Sequence, residues 1–167
     1  LLFLGYHSAG GPNTNPLAHT MHTGIDSIKL NGEYASEFLL HSYIAAQLGV
    51  PVAFLSGDLG LCQEVERINE NITTVSVKEG IGNATVNIHP ELALELIRDG
   101  VKSSLEDKLE LCHVDLPRDF KLEIRYRDHI SATRKASYPG AQQTDPKTVE
   151  FRSNDYMEIL RAIEYLL

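Results

Sequence analysis

Cysteine is scarce in this chain. Cys62 and Cys112 are its only two in 167 residues, too few and too far apart for a disulfide framework. That scarcity points to a cytoplasmic setting. No apolar run approaches the ~20 residues of a membrane span. Basic residues are also in short supply: 15 Lys and Arg against 23 Asp and Glu leave a net charge of −8. No basic stripe is available to displace counterions, so neither nucleic acid nor an anionic membrane is an expected partner. A Gly-x-Ser-x-Gly elbow is missing, which removes the usual serine-hydrolase signature. Gly80-Ile81-Gly82 lacks the third glycine of a dinucleotide fingerprint, so a nicotinamide-dependent oxidoreductase is a poor reading. Cys112-His113, with only Cys62 to join them, fall short of a structural zinc set, and both cysteines read as small core residues. The sequons at Asn71 and Asn83 carry little weight without a signal peptide. Internal repeats and low-complexity tracts are absent.

What remains is an ordinary globular composition, 43% apolar and 23% charged. At this length a domain buries about 70% of its unfolded surface and needs no staples. The apolar run Leu1-Leu2-Phe3-Leu4 reads as the start of a strand to Tyr6, covered on both faces. The chain opens directly on that strand, without Met or a polar lead-in, whereas natural termini are usually exposed and frayed. The expectation is that an upstream segment has been lost by processing or truncation, or is supplied as another chain.

Further along, residues 8–18 form a loop dense in turn formers. Ile25–Leu30 alternates weakly and ends in Asn31-Gly32, a strong turn signal. Glu33–Leu48 has helical spacing and stops at Gly49. Val50–Leu55 reads as a second apolar strand ending at Ser56-Gly57-Asp58, Leu61–Ile68 as a short helix, and Ile72–Val77 as a third strand. Residues 79–83 read as a Gly-rich loop before a long helix from Pro90 to about Leu111, its start marked by Pro90 and Glu91. Strands alternating with helices predict an α/β fold with a mostly parallel sheet flanked by helices. Beyond Pro117, Lys121–Arg127 and Thr148–Arg152 alternate like strands with one wet face, each followed by a helix, at 128–136 and 155–167. The expected organisation is an α/β catalytic-type part over 1–112 and a smaller α+β part over 113–167.

The chemical candidates gather in the first forty residues. His7 ends the first strand at a loop of small residues, with His19 and His22 nearby, and this setting favours a ligand over a hydrogen-bonded structural histidine. His19 and His22 would share a face on a helix, but their loop context leaves that open, and one of them can simply be solvated. Glu37 falls at i, i+4 spacing with Glu33 and His41. A hydrated polar stripe and an inward-pointing metal ligand fit that spacing equally well, although a buried carboxylate without a cation is costly. Asp58, at a strand end, reads equally as a site residue or a turn cap.

The runs Phe-Leu-Gly-Tyr-His (3–7), Ala-His-Thr-Met (18–21), Leu-Asn-Gly (30–32), Glu37, Val-Pro-Val (50–52), Ser-Gly-Asp (56–58) and Thr-Val-Ser-Val-Lys (74–78) together resemble the DppA-type D-aminopeptidases. These are zinc-dependent peptidases that assemble into self-compartmentalising rings. The resemblance implies that His7 and Glu37 are metal ligands and that His19 is the catalytic side chain. It also implies further ligands, an Asp-x-Glu pair and another histidine, in an N-terminal part that these 167 residues do not contain. Ser36 and His41 depart from the family's usual glycine and asparagine, which bears on substrate preference more than on metal binding.

The resulting expectation is an aminopeptidase with two Zn2+ per complete site, acting on short peptides with an N-terminal D-residue. A metal-activated water attacks the peptide carbonyl, and His19 serves the leaving nitrogen or the oxyanion. An upstream segment or companion chain completes the site, and the expected assembly is a homo-oligomeric ring. The alternative is a non-catalytic oligomerising or ligand-binding α/β module that retains the scaffold.

Overall fold

The computed structural model describes residues 1–106 and 109–167. In chain order the elements are β1 (Leu2–Tyr6), β2 (Ile25–Leu30), β3 (Glu33–Tyr34), α1 (Glu37–Gln47), β4 (Phe54–Asp58), α2 (Leu59–Ile68), β5 (Thr73–Ile81) and β6 (Ala84–Asn87). There follow α3 (Pro90–Glu106), a 3-10 turn (Leu109–Leu111), β7 (Phe120–Tyr126), α4 (His129–Lys135), β8 (Gln142–Asp145), β9 (Thr148–Ser153) and α5 (Tyr156–Leu166). The chain divides into two compact units. Among the described residues, no helix is long and apolar enough to cross a membrane.

The first unit comprises Leu1–Ser8, Pro12–Ala18 and Glu37–Leu116. Its sheet runs β1-β4-β5-β6, parallel across the first three strands and antiparallel at the β5–β6 hairpin, as the predicted parallel-rich α/β pattern requires. The core beneath it is built from Phe3, Phe38, Val52, Leu55, Leu61 and Val65. β4 is buried along its whole length, the burial expected of an inner parallel strand. It begins at Phe54 rather than Val50. Pro51, with no N–H for a ladder, instead lends its carbonyl to the Leu1 amine at 2.7 Å.

β1 departs from the strand covered on both faces. It is the edge of its sheet among the described residues. Phe3 is buried, whereas Leu2 and Leu4 are 38% and 59% exposed, because alternate side chains leave a strand on opposite faces. The predicted Gly-rich loop at 79–83 is also different. The chain stays extended through Ile81, which pairs with Ala84 across a two-residue turn. The long helix is described as far as Glu106 and a 3-10 turn spans Leu109–Leu111; Asp107 and Lys108, within the helix predicted to reach Leu111, lie outside the described residues.

The second unit comprises Ala9–Gly11, His19–Ser36 and Pro117–Leu167. Its sheet runs β3-β2-β7-β9-β8 and is antiparallel throughout. Phe120, Leu122, Ile124 and Tyr126 are buried while their β7 neighbours are not, the one-sided pattern expected of this strand. α5 covers that face with Tyr156, Ile159, Ala162, Ile163 and Leu166. The Tyr126 hydroxyl donates to the Leu166 carbonyl at 2.8 Å. Asp128 and Asp155 cap α4 and α5 by accepting from backbone N–H groups.

The helix expected from Glu33 begins only at Glu37. Asn31 and Gly32 take φ of 54° and 92°, the positive pair that a tight hairpin turn requires. The chain therefore returns, and Glu33 and Tyr34 pair with Leu30 and Lys29. The predicted Glu33–Glu37 spacing on one helix face is lost with it, while Glu37 and His41 remain one turn apart on α1.

Candidate metal centre

The first unit's parallel strands end at the same rim, and ligands of open α/β sheets bind outside the carboxyl ends of strands. His7 follows β1 and Asp58 closes β4, with Tyr6 paired to Gly57 between them. The pairing shifts register between Leu4 and Tyr6, where Gly5 sits at φ 74°. This bulge uses the left-handed region open to glycine. Its effect is to bring Tyr6 back to the face of Phe3, although they are three positions apart and would otherwise face opposite sides. Their rings meet edge-on at 4.9 Å. Tyr6 thus faces the core and the chain turns outward at His7.

α1 lies against β1 through Phe38, whose ring is 5.0 Å from that of Phe3. This contact fixes the helix start, so Glu37 comes to the rim beside His7. Both residues are half-buried and, with Leu4, Gly5 and Tyr6, line a cavity of about 250 Å3. An imidazole nitrogen and a carboxylate oxygen of the pair lie within 4.8 Å of each other. A tetrahedral ion with bonds of about 2.1 Å holds its ligand atoms about 3.4 Å apart, so a small side-chain adjustment accommodates one. Imidazole plus carboxylate is a donor set suited to a divalent transition metal, and two ligands leave positions open for others.

The tautomer of His7 follows from its neighbour. His7 Nδ1 is 3.0 Å from the Ser8 carbonyl. A carbonyl can only accept, so Nδ1 carries the hydrogen and Nε2 offers its lone pair. Ser8 is itself held by Asp58, which accepts from the Ser8 N–H at 2.8 Å and the Ser8 hydroxyl at 2.5 Å. Asn15 Nδ2 and the Leu61 N–H also donate to Asp58, both at 2.8 Å. Burial pushes the Asp58 carboxyl up, but the bonds from Ser8, Asn15 and Leu61 together outweigh it and hold the pKa below the usual carboxylate value. Asp58 is therefore the N-cap of α2, and more than a cap. Ser8 and Asn15, its other partners, were not singled out by the sequence; both lie in the loop whose turn-rich composition was the only signal.

The other candidates separate clearly. His19 is half-buried and opens the His19–Ser36 stretch of the second unit, directly after Ala18 of the first. His22 is exposed and its Nδ1 accepts from the Gly24 N–H at 3.0 Å, the solvated reading. His41 Nδ1 lies 3.2 Å from the Tyr6 hydroxyl. Burial, then the charge of Glu37, raise the Tyr6 pKa, so that hydroxyl stays protonated at the rim. Tyr6 is a cavity residue that the apolar strand pattern concealed. Cys62 and Cys112 are free and buried; burial, with the charges of Asp58 and Glu66, pushes the Cys62 thiol up to about 11.

The model of the M55 peptidase family, described as D-aminopeptidase, matches residues 1–165. The chain belongs to this family. It is similar to the D-aminopeptidase of Bacillus subtilis (strain 168), 29% identical over 164 residues that make up 97% of this chain and 60% of that protein. Among solved structures it is similar to the Zn-dependent D-aminopeptidase DppA from Bacillus subtilis, described as a self-compartmentalizing protease. The TM-score is 0.88 at 26% identity, over 99% of this chain and 61% of that one. This member of the family thus spans about 60% of the length of the relatives it matches.

Proposed function

We propose that this chain carries the greater part of a zinc-dependent aminopeptidase that hydrolyses short peptides with an N-terminal D-amino acid. The observation that carries the reading is the meeting of His7 and Glu37 in one cavity at the carboxyl rim of the parallel strands of the first sheet. Family membership supports the chemistry, as do the zinc dependence and D-aminopeptidase activity named for the Bacillus relatives.

In this reading His7 Nε2 and a Glu37 oxygen are zinc ligands. A zinc ion held there would supply Lewis acidity toward a bound water and the scissile carbonyl. Ser8, by accepting from Nδ1, keeps the ring of His7 turned toward its ligand. His19 serves as the general acid for the leaving nitrogen, or as the donor to the oxyanion, both within reach of an imidazole near pH 7. It follows Ala18, directly after the turn-rich loop that begins beyond His7. The Tyr6 hydroxyl, kept protonated and backed by His41, is a polar contact at the cavity wall. Two protein ligands are fewer than two zinc ions need. The remaining donors are assigned to a segment outside these 167 residues or to a companion chain, and the working assembly to a homo-oligomer.

Metal content of the purified, unchelated full-length protein, together with whatever segment or companion chain completes the site, measured by elemental mass spectrometry, tests the reading. About two zinc per complete site, with hydrolysis of D-aminoacyl dipeptides, is the expected result. A protein that takes up no metal even when zinc is offered overturns it and leaves a binding module on the same scaffold.

A further inference from the structure

We infer that Asp58 is a positioning residue for His7: through Ser8 it fixes the histidine in its Nδ1–H form and leaves Nε2 as the ligating nitrogen. What Nε2 then binds rests on the zinc-peptidase reading; which nitrogen carries the hydrogen does not.

Asp58 is fully buried, and a buried carboxylate is stable only when its oxygens are satisfied. Each of its oxygens takes two donors. Oδ1 accepts from the Leu61 N–H and the Ser8 hydroxyl, and Oδ2 from the Ser8 N–H and Asn15 Nδ2. Capping α2 needs only the Leu61 N–H. The three other bonds all reach the segment just beyond His7, and Ser8 spends both of its donors on this one group. The Ser8 residue is thereby clamped, and its carbonyl is the acceptor for His7 Nδ1. A carboxylate on the end of β4 therefore sets the hydrogen position of a ring on the end of β1. Outer partners of this kind orient a ligating histidine and fix its tautomer.

Asparagine cannot replace Asp58 silently. Whichever way its amide turns, the NH2 group faces a backbone N–H, either that of Ser8 or that of Leu61. Facing Ser8, it breaks the bond from the Ser8 N–H and loosens the clamp; facing Leu61, it uncaps α2 and loses the acceptor of the Ser8 hydroxyl. The Ser8→Ala change removes only the hydroxyl bond.

The test uses the full-length natural protein, labelled with 15N histidine, with Asp58→Asn, Ser8→Ala and Val65→Ala variants. Val65 is buried in the same core but contributes nothing to the clamp. Long-range 1H–15N spectra of the metal-free protein near pH 7.5, with His7 assigned from a His7→Gln sample, read the tautomer directly. Titration with zinc alone reads affinity. Wild type is expected to hold His7 as Nδ1–H. Asp58→Asn is expected to mix the tautomers and weaken zinc by about 10- to 100-fold, and Ser8→Ala to move both readouts less. Val65→Ala should lower the melting temperature and move neither. A wild-type His7 protonated on Nε2 overturns the inference. So does an Asp58→Asn protein with unchanged tautomer and affinity, which would leave Asp58 as a cap alone. If that variant does not fold, the same readouts on Ser8→Ala decide, and unchanged values there overturn it. A wild type that binds no zinc refutes the peptidase reading, while the spectra still decide the role of Asp58.

Discussion

Replacing Phe38 by alanine probes the wall that places Glu37 beside His7. The ring is fully buried, 0% exposed, in the second position of α1, and meets Phe3 edge-on at 5.0 Å. Truncating a buried phenylalanine costs about 3–5 kcal/mol through lost transfer and the cavity left behind. About 0.5–1.5 kcal/mol of that belongs to the ring pair beyond its area. Domains are stable by about 5–15 kcal/mol, so the variant folds with a reduced margin. At this chain length each kcal/mol moves the midpoint by about 2–4 °C, which gives a fall of about 6–20 °C. Phe38→Leu keeps most of the volume and should cost about 1–2 kcal/mol. Urea titration followed by far-UV circular dichroism should show a lower midpoint with an unchanged slope. Zinc uptake should weaken in the alanine variant more than in the leucine one, because Glu37 directly precedes the truncated residue. A loss below about 1 kcal/mol, outside the range for a filled core site, would refute the packing argument.

Other expectations are independent of that core. His19→Ala should retain its metal and lose most of its turnover with a D-aminoacyl dipeptide; activity within a few-fold of wild type would show that His19 is not the catalytic side chain. Because the Asp58 pKa is lowered on folding, its stabilisation is fully present above the unfolded carboxylate value and is lost as pH falls through the lower folded one. The stability advantage of wild type over Asp58→Asn should therefore be constant from pH 5 to 7 and shrink below about pH 4; urea midpoints across pH 3–7 that show a constant gap would contradict this. Cys62, buried and with its thiol pushed up to about 11, should resist a thiol reagent at pH 8 in the native protein and react on unfolding. Rapid native labelling of Cys62 would argue against the buried placement.

Much of the first sheet was legible because its signals are local. A continuous apolar run, a Ser-Gly-Asp strand end and a Pro-Glu helix start each act within a few residues. So does Asn31-Gly32, whose turn lies where its residues predict. The errors came where two local signals competed. Glu33–Ser36 carry helical spacing, but the positive φ of Asn31 and Gly32 turns the chain into a hairpin before a helix can start. At 79–83 the glycines suggested a loop, whereas the β5–β6 ladder carries all but a two-residue turn.

The residue types for a metal centre were therefore present in the sequence as candidates, and so was the α/β class, since both depend on composition and short-range pattern. Tertiary structure alone decided that β2 leaves the early chain to pair with β7, Leu30 opposite Leu122. It alone placed Glu37 beside His7, through a bulge at Gly5 and the Phe3–Phe38 contact. The Asp58 clamp on Ser8 belongs to the same class. Such pairings join residues dozens of positions apart, and their energies come from burial and hydrogen bonds that exist only once both partners are in place.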